Sequence, residues 1–485
     1  MKILVLGNRI PWPLHDGGAI ASYAMLRSLS GAGAELYFCS FNTQKHFVSQ
    51  ELCNKHFGFC TVKTIPLDSS LSILGACRNL FSRKSYHISR YDRKEANDIV
   101  EALLHEQEFD LVLFEGIYSM TMMNAVVRYN KSFSTENRYP LEHIFQHNPG
   151  VGMQENAILE SLDPKSKKEA NDTENEKYNK NRFQTHTSTA IENSQTGRKV
   201  PLKSKRLRKN GPLPCVYRSH NIESEIWFRL ARQSRQVLKK WYLLLQTRRL
   251  QQFEQKIWCS VDAVISITEH DFNVVEKHTQ QVNGSAVPQT VYLPGIETFN
   301  SSIFMLHPNK VFHIGSMEWQ ANQQGVQWFL QKVWPLLLVK LPHTEFHLAG
   351  KSMHKNDKRF FQSGVINHGT ISDPEMFMKE NGIMIVPILA GSGIRIKIIE
   401  AMALRIPVVT TSVGVQGLEI LHNVHCKIAD TPQDFANAIA DLMANPTLAN
   451  AIVDEAYSYV EAHHNSKHNT EKLLKFLTGL TEITG

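Results

Sequence analysis

Three charged residues close together carry the most legible chemistry in this chain: Arg395, Lys397 and Glu400, within PILAGSGIRIKIIEAMALRIPVVTT (Pro387–Thr411). A short apolar strand, Ile383–Pro387, runs into a glycine-flanked turn containing Ser392 and Gly393, and a mostly apolar helix follows. Strand, glycine turn and helix start leave free backbone N–H groups and the positive end of the helix dipole aimed at one point, which suits an anion. Two cations beside that turn suit a phosphate or diphosphate. Geometry limits this reading, because residues two apart on a regular helix point about 200° apart. Arg395 and Lys397 can share one diphosphate only if Arg395 sits in the turn or in an irregular first coil. Lys397 and Glu400, three apart, lie on one face and can instead pair with each other on a packing helix.

Two other segments place polar groups where a parallel strand ends. In GNRIPWPLHDGGAIASYAML (Gly7–Leu26), Gly17 and Gly18 open a helix after a strand and a Pro-rich loop. Open α/β sheets bind ligands at such carboxyl ends, although glycines also serve ordinary turns. RSHNIESEIW (Arg218–Trp227) gathers His220, Asn221, Glu223 and Glu225 after another strand. Ser219 or Asn221 can cap the following helix, with Glu223 in its first turn. A lone histidine is as often a satisfied loop residue, so the cluster carries more weight than any member.

These residues need a frame. Short apolar runs alternate with helical patterns along most of the 485 residues, which indicates α/β domains with parallel sheets. Strand candidates are Lys2–Gly7, Glu35–Phe41, Thr61–Leu67, Asp110–Phe114, Cys215–Arg218, Asp262–Ile267 and Thr290–Leu293. A second set follows at Lys310–Gly315, Thr344–Ala349, Ile383–Pro387, Pro407–Thr411 and His425–Ile428. The polar gap near Pro294–Pro308 separates a first domain, residues 1–300, from a second, residues 301–465, with a terminal helix in 466–485. Residues 153–210 are nearly empty of aliphatics and end in the basic run Arg198–Lys209, so they read as a disordered insertion. That run can touch acidic lipid or nucleic acid, but a solvated tether is the commoner case. A helix over Trp227–Trp258 mixes Arg229, Arg232, Arg235, Lys239, Lys240, Arg248 and Arg249 with Trp, Leu and Tyr. It can lie on an anionic membrane or pack with a solvated basic face.

Composition narrows the class. A length of 485 residues predicts two or three domains, and a net charge of +7 suits anionic ligands or surfaces. Seven scattered cysteines with no CxxC pair predict a reducing cytosol and neither a disulfide framework nor a zinc site. No apolar run approaches the roughly 20 residues of a membrane span. Asp-x-Asp, Walker A, GxSxG and HExxH are all absent, which removes the common metal-chelating, NTPase, hydrolase and metalloprotease readings.

The GSGIRIKIIE stretch resembles the donor-holding helix of bacterial family 4 (group 1) glycosyltransferases, whose fold is GT-B: two facing Rossmann-like domains with a cleft between them. The resemblance covers nearly the whole chain outside the insertion and is strongest over Lys310–Gly417. It implies that Glu400 binds the ribose, that Arg395 and Lys397 meet the diphosphate, and that Gly17 and Gly18 lie near the donor phosphates. It further implies His220 near the transferred sugar, Asn221 and Glu223 in the cleft, and Ile371, within HGTISDPEMF, beside the base. Two departures stand out. Ser392 occupies the position of a sugar-binding glutamate eight residues before Glu400, and Gln323 and Gln324 stand where many relatives carry a lysine.

The function so implied is transfer of a sugar from a nucleotide-diphosphate sugar to a glycan or lipid-linked acceptor, retaining, metal-independent, without a cofactor, in surface polysaccharide biosynthesis. The expected place is the cytoplasm, with peripheral contact at the inner face of the membrane left open and no nucleic acid partner. Alternatives are a nucleotide-sugar epimerase of the same fold and a catalytically silent GT-B scaffold. The terminal helix is expected to pack back on the first domain.

Overall fold

The computed structural model describes residues 1–14, 17–133, 212–234, 236–293, 295–296, 309–355, 357–390 and 394–483. The expectations for Ser392, Gly393 and the insertion at 153–210 lie outside them. Strands β1 (Lys2–Gly7), β2 (Glu35–Thr43), β3 (Thr61–Leu67), β4 (Leu111–Glu115), β5 (Cys215–Arg218), β6 (Ala263–Ser266) and β7 (Gln289–Val291) form one parallel sheet, ordered β3-β2-β1-β4-β5-β6-β7. Strands β8 (Lys310–Ile314), β9 (Glu345–Ala349), β10 (Val365–Gly369), β11 (Ile383–Val386), β12 (Val408–Thr410) and β13 (Lys427–Ile428) form a second, ordered β10-β9-β8-β11-β12-β13 and also parallel. Central strands such as LVLFE in β4 are buried end to end, as strands covered by helices on both faces must be.

In the first domain the helices are α1 (Gly17–Gly31), α2 (Gln50–His56), α3 (Ile73–Asn79), α4 (Tyr86–Ser89), α5 (Lys94–Glu106), α6 (Met123–Lys131), α7 (Glu223–Gln233), α8 (Val237–Trp258) and α9 (Glu269–Asn283). The second carries α10 (Gln320–Trp328), α11 (Trp334–Lys340), α12 (Pro374–Glu380), α13 (Ile396–Ala403), α14 (Pro432–Ala444) and α15 (Pro446–His463). The last helix, α16 (Ser466–Ile483), returns to the first domain. Its Leu473, Leu477 and Leu480 join Met25, Leu26 and Leu29 of α1 in the core beneath β1. The chain crosses between domains twice, and the two crossings touch: the Ile296 amide donates to the His464 carbonyl at 2.7 Å, and the Ser466 amide to the Ile296 carbonyl at 3.2 Å.

Three sequence expectations change. β10 was not anticipated, because VINHG is short, half polar and an edge strand. The single helix expected over Trp227–Trp258 is two, broken at Ser234 and Gln236, whose backbones are extended. The cap expected from Ser219 or Asn221 comes instead from across the hairpin. The Glu254 carboxylate of α8 accepts from the Glu223 amide at 2.7 Å and the Ser224 amide at 3.1 Å, closing the start of α7.

Candidate active site

Strand order reverses beside β1 in the first sheet and beside β8 in the second. Crevices of doubly wound sheets open at such switch points, beyond the strands' carboxyl ends. At the second switch point, Ile314 ends β8 with Gly315 just after it, Val386 ends β11, and α13 starts nearby. Arg395 immediately precedes α13 with φ −89° and ψ 84°, off the helical path. That is the irregular geometry which frees Arg395 and Lys397 from pointing in opposite directions.

Lys397 does not spend its amine on Glu400. Its Nζ donates to the Ile314 carbonyl at 3.0 Å and to Asn322 Oδ1 at 3.1 Å, at the very end of β8. Arg395 is buried, its guanidinium carbon 5.0 Å from the centre of the Trp319 ring. Burial, then the neighbouring Arg395, push Lys397 down to about 7, with Glu400 pulling the other way. Burial, then Arg229 of α7, bring Arg395 down to about 10. Burial pushes the half-buried Glu400 up, opposed by Lys397. Cations crowded in a poorly solvated place favour an anionic guest.

His313 completes this corner. Its Nδ1 donates to the Ile385 carbonyl at 2.9 Å, so Nε2 is the bare acceptor nitrogen. Burial, then Lys397, hold it well below its ordinary range, and therefore neutral. Gly315 leaves room here for side-chain ends. A Cβ on it would stand 2.8 Å from both Lys397 Nζ and Asn322 Nδ2, and 3.1 Å from His313 Nε2.

Across the cleft, Gly17 and Gly18 are the first two residues of α1. A Cβ on Gly17 would lie 3.5 Å from Ile396 Cδ1, so the starts of α1 and α13 meet. Near them, a Cβ on Gly417 would lie 3.3 Å from Thr268 Cγ2 of the first domain and 3.4 Å from Ile394 Cγ1. The structure thus gathers Gly17, Gly18, Arg395 and Lys397 from both domains.

His220 and its neighbours form a second group, at the first switch point. Glu115, the last residue of β4, accepts through one oxygen from Ser22 Oγ of α1 at 2.6 Å and from His220 Nε2 at 2.7 Å, and is ion-paired with the fully buried Arg218. Burial alone would raise Glu115, but Arg218, then His220 and Ser22, bring it to about 2. The carboxylate only accepts, so His220 carries its proton on Nε2. Asn221 is half-buried, its carbonyl taking the Ser219 hydroxyl at 3.0 Å. Burial pushes Glu223 up, and burial together with Glu223 raises the adjacent Tyr118. Gly116, at φ 82°, lets the chain turn against Asn8, whose Oδ1 accepts the Ser119 amide at 2.7 Å. Ile371 packs its side chain on the core of the second sheet, in the cluster that also takes Ile398 and Ile399 of α13.

Glu115, Arg229, His313 and Asn322 were missed from the sequence. Glu115 left a signal, a carboxylate closing the apolar run LVLF ahead of a glycine. The other three sit on ordinary strand or helix patterns and acquire a role only through packing.

Comparison with known proteins bears on this arrangement. Residues 308–445 match the family model described as glycosyl transferases group 1. Residues 115–281 also match a model described as phosphatidylinositol transfer protein; their described part is the β4–β6 portion of the parallel first sheet. An uncharacterized 44.6 kDa protein in the cps region of Klebsiella pneumoniae is 26% identical over 269 residues, 54% of this chain and 67% of that protein. HepE of Anabaena, solved with UDP, aligns with a TM-score of 0.54 at 13% identity, covering 99% of this chain and 100% of that chain. Sucrose-phosphate synthase of Thermosynechococcus elongatus aligns at 0.57 and 12% identity, covering 100% of both. The fold is GT-B.

Proposed function

We propose that this chain, which carries a group 1 glycosyltransferase domain on a GT-B frame, moves a sugar from a nucleotide-diphosphate sugar to a glycan or lipid-linked acceptor in surface polysaccharide biosynthesis. The reading includes retention of configuration, no metal and no cofactor, and a place in the cytoplasm with peripheral contact at the membrane. One observation carries it above the rest: the Lys397 amine lies at the end of β8 with Arg395 beside α13, instead of closing an ion pair on Glu400. The Klebsiella relative's cps region and the UDP and UDP-glucose held by HepE are consistent with it.

In this mechanism Arg395, Lys397 and the first amides of α13 take up charge on the departing diphosphate, where such groups act most strongly in the transition state. Glu400 accepts from the ribose hydroxyls, Gly17 and Gly18 let backbone approach the donor, and Ile371 lies beside the base. His220, held by Glu115, orients the sugar while Asn221 and Glu223 face the acceptor. Positioning and leaving-group stabilisation then replace an enzyme nucleophile. The test is nucleotide release from a panel of sugar nucleotides, with and without acceptor glycans, in EDTA. Acceptor-dependent release in EDTA is the expected result. Binding without release from any donor would favour the scaffold alternative, and turnover restored only by Mg or Mn would overturn the metal-free mechanism.

A further inference from the structure

Most of the large apolar side chains left in solvent among the described residues of the first domain lie on two elements. On and beside α3, Phe81 is 95% and Ile73 86% exposed, with Leu71 and Leu74 also bare. On the first turns of α8, Leu238 is 84% exposed, and Val237, Trp241 and Leu244 form an outward stripe at helical spacing. The opposite side of α8 is the packed one, with Leu243, Gln246 and Leu250 buried. The two elements are locked together: the Arg249 guanidinium donates to the Asn79 carbonyl at 2.9 Å and the Leu80 carbonyl at 3.0 Å. Gln246 donates to Asn79 Oδ1 at 3.1 Å and accepts the Tyr86 amide at 2.8 Å.

Charge at this face is mostly positive, with Lys84 paired to Asp92 at 2.7 Å and Asp68 exposed at its edge. Residues 69–91 and 232–253 together hold ten Arg and Lys and no Asp or Glu. Exposed Arg78, Arg83, Lys239 and Lys240 stand among the apolar side chains. We propose that α3 and the first turns of α8 form a docking surface for a bilayer of acidic phospholipid, with Phe81, Ile73, Leu238 and Trp241 entering the interface and the cations meeting headgroups. A soluble monomer rarely leaves so contiguous an apolar patch bare, and apolar anchors ringed by Lys and Arg are the pattern that binds anionic bilayers. A second copy of the chain fits poorly, since it would face like charge with like. The same helix hairpin carries Arg229 on α7 to the donor site, so a docked α8 holds the cleft close to the bilayer surface. That last consequence rests on the transferase reading with a lipid-linked acceptor, whereas binding to lipid does not.

The experiment is flotation of the full chain with vesicles of equal parts phosphatidylcholine and phosphatidylglycerol, against pure phosphatidylcholine, with UDP binding measured in parallel. Flotation with the acidic vesicles alone, weakened by salt, is expected. The Phe81→Ser/Trp241→Ser variant loses on the order of tenfold or more of this binding, and Lys239→Glu/Lys240→Glu a similar amount. Neither variant changes melting temperature or UDP affinity, which keeps a failure here separate from a failure of the donor site. Absence of flotation, or equal flotation by both variants, overturns the proposal. So does a concentration-dependent dimer that Phe81→Ser/Trp241→Ser abolishes, because the face would then be an interface between copies.

Discussion

Glu115→Gln is the most revealing single change, because it alters one buried charge and almost no volume. Glu115 is the counter-charge of Arg218, which has no exposed surface, and it also accepts from Ser22 and His220. An amide leaves the guanidinium uncompensated in the interior, a loss of roughly 3–5 kcal/mol. Proton linkage gives a similar figure: the fall from 4.5 to about 2 corresponds to about 3 kcal/mol. For a domain of this size the melting temperature should drop by roughly 6–20 °C. The sign with pH follows. The native group holds its proton less tightly than the unfolded one, so its stabilisation is complete above 4.5 and lost as pH falls through about 2. Denaturant unfolding of both proteins near neutral pH and at about pH 3 reads this directly, and the gap between them should roughly halve at the lower pH. UDP affinity should persist, since the charged groups proposed to hold the donor, Arg395, Lys397 and Glu400, lie in the second domain, while the sugar-transfer rate falls with the loss of a fixed His220. A variant within about 1 kcal/mol of the parent, or a gap undiminished in acid, would refute the reasoning.

Donor binding should take up a proton at mildly alkaline pH. Lys397 is largely neutral in the empty site above about 7, and a bound diphosphate draws its proton back. Calorimetric titration of UDP in two buffers of different protonation enthalpy checks this, and Lys397→Met should abolish the uptake. Gly315→Ala places a methyl where Lys397 and Asn322 now sit. Because both are movable side-chain ends, the fold should survive at about 1–3 kcal/mol, while UDP affinity falls on the order of tenfold.

Much of the frame is legible in the sequence because parallel strands buried on both faces read as continuous apolar runs. Lys2–Gly7 and Cys215–Arg218 match the observed strands end to end, whereas the edge strand β10 buries little and leaves a faint trace. The break at Ser234 has no Gly or Pro to announce it; it follows from folding α7 back so that Glu254 meets its start. Arg395, Lys397 and Glu400 are visible together because one turn and one helix bring them together. Glu115 with His220, Ser22 and Arg218, or Lys397 with Ile314 and Asn322, are contacts between residues some 80 to 105 positions apart in most cases. No local pattern encodes such pairings, and only the sheet order brings them into register.

The central claim is that α13 binds and neutralises a diphosphate. Its most direct test is the turnover of Lys397→Ala, per mole of folded protein, on a sugar nucleotide the parent uses. Removing one preorganised cation from a developing charge should slow kcat on the order of 10²-fold or more, with Arg395→Ala behaving alike and Glu400→Gln weakening donor binding instead. If Lys397→Ala is unstable yet turns over at the parent's rate once folded, α13 is scaffold and the assignment of the donor site is wrong.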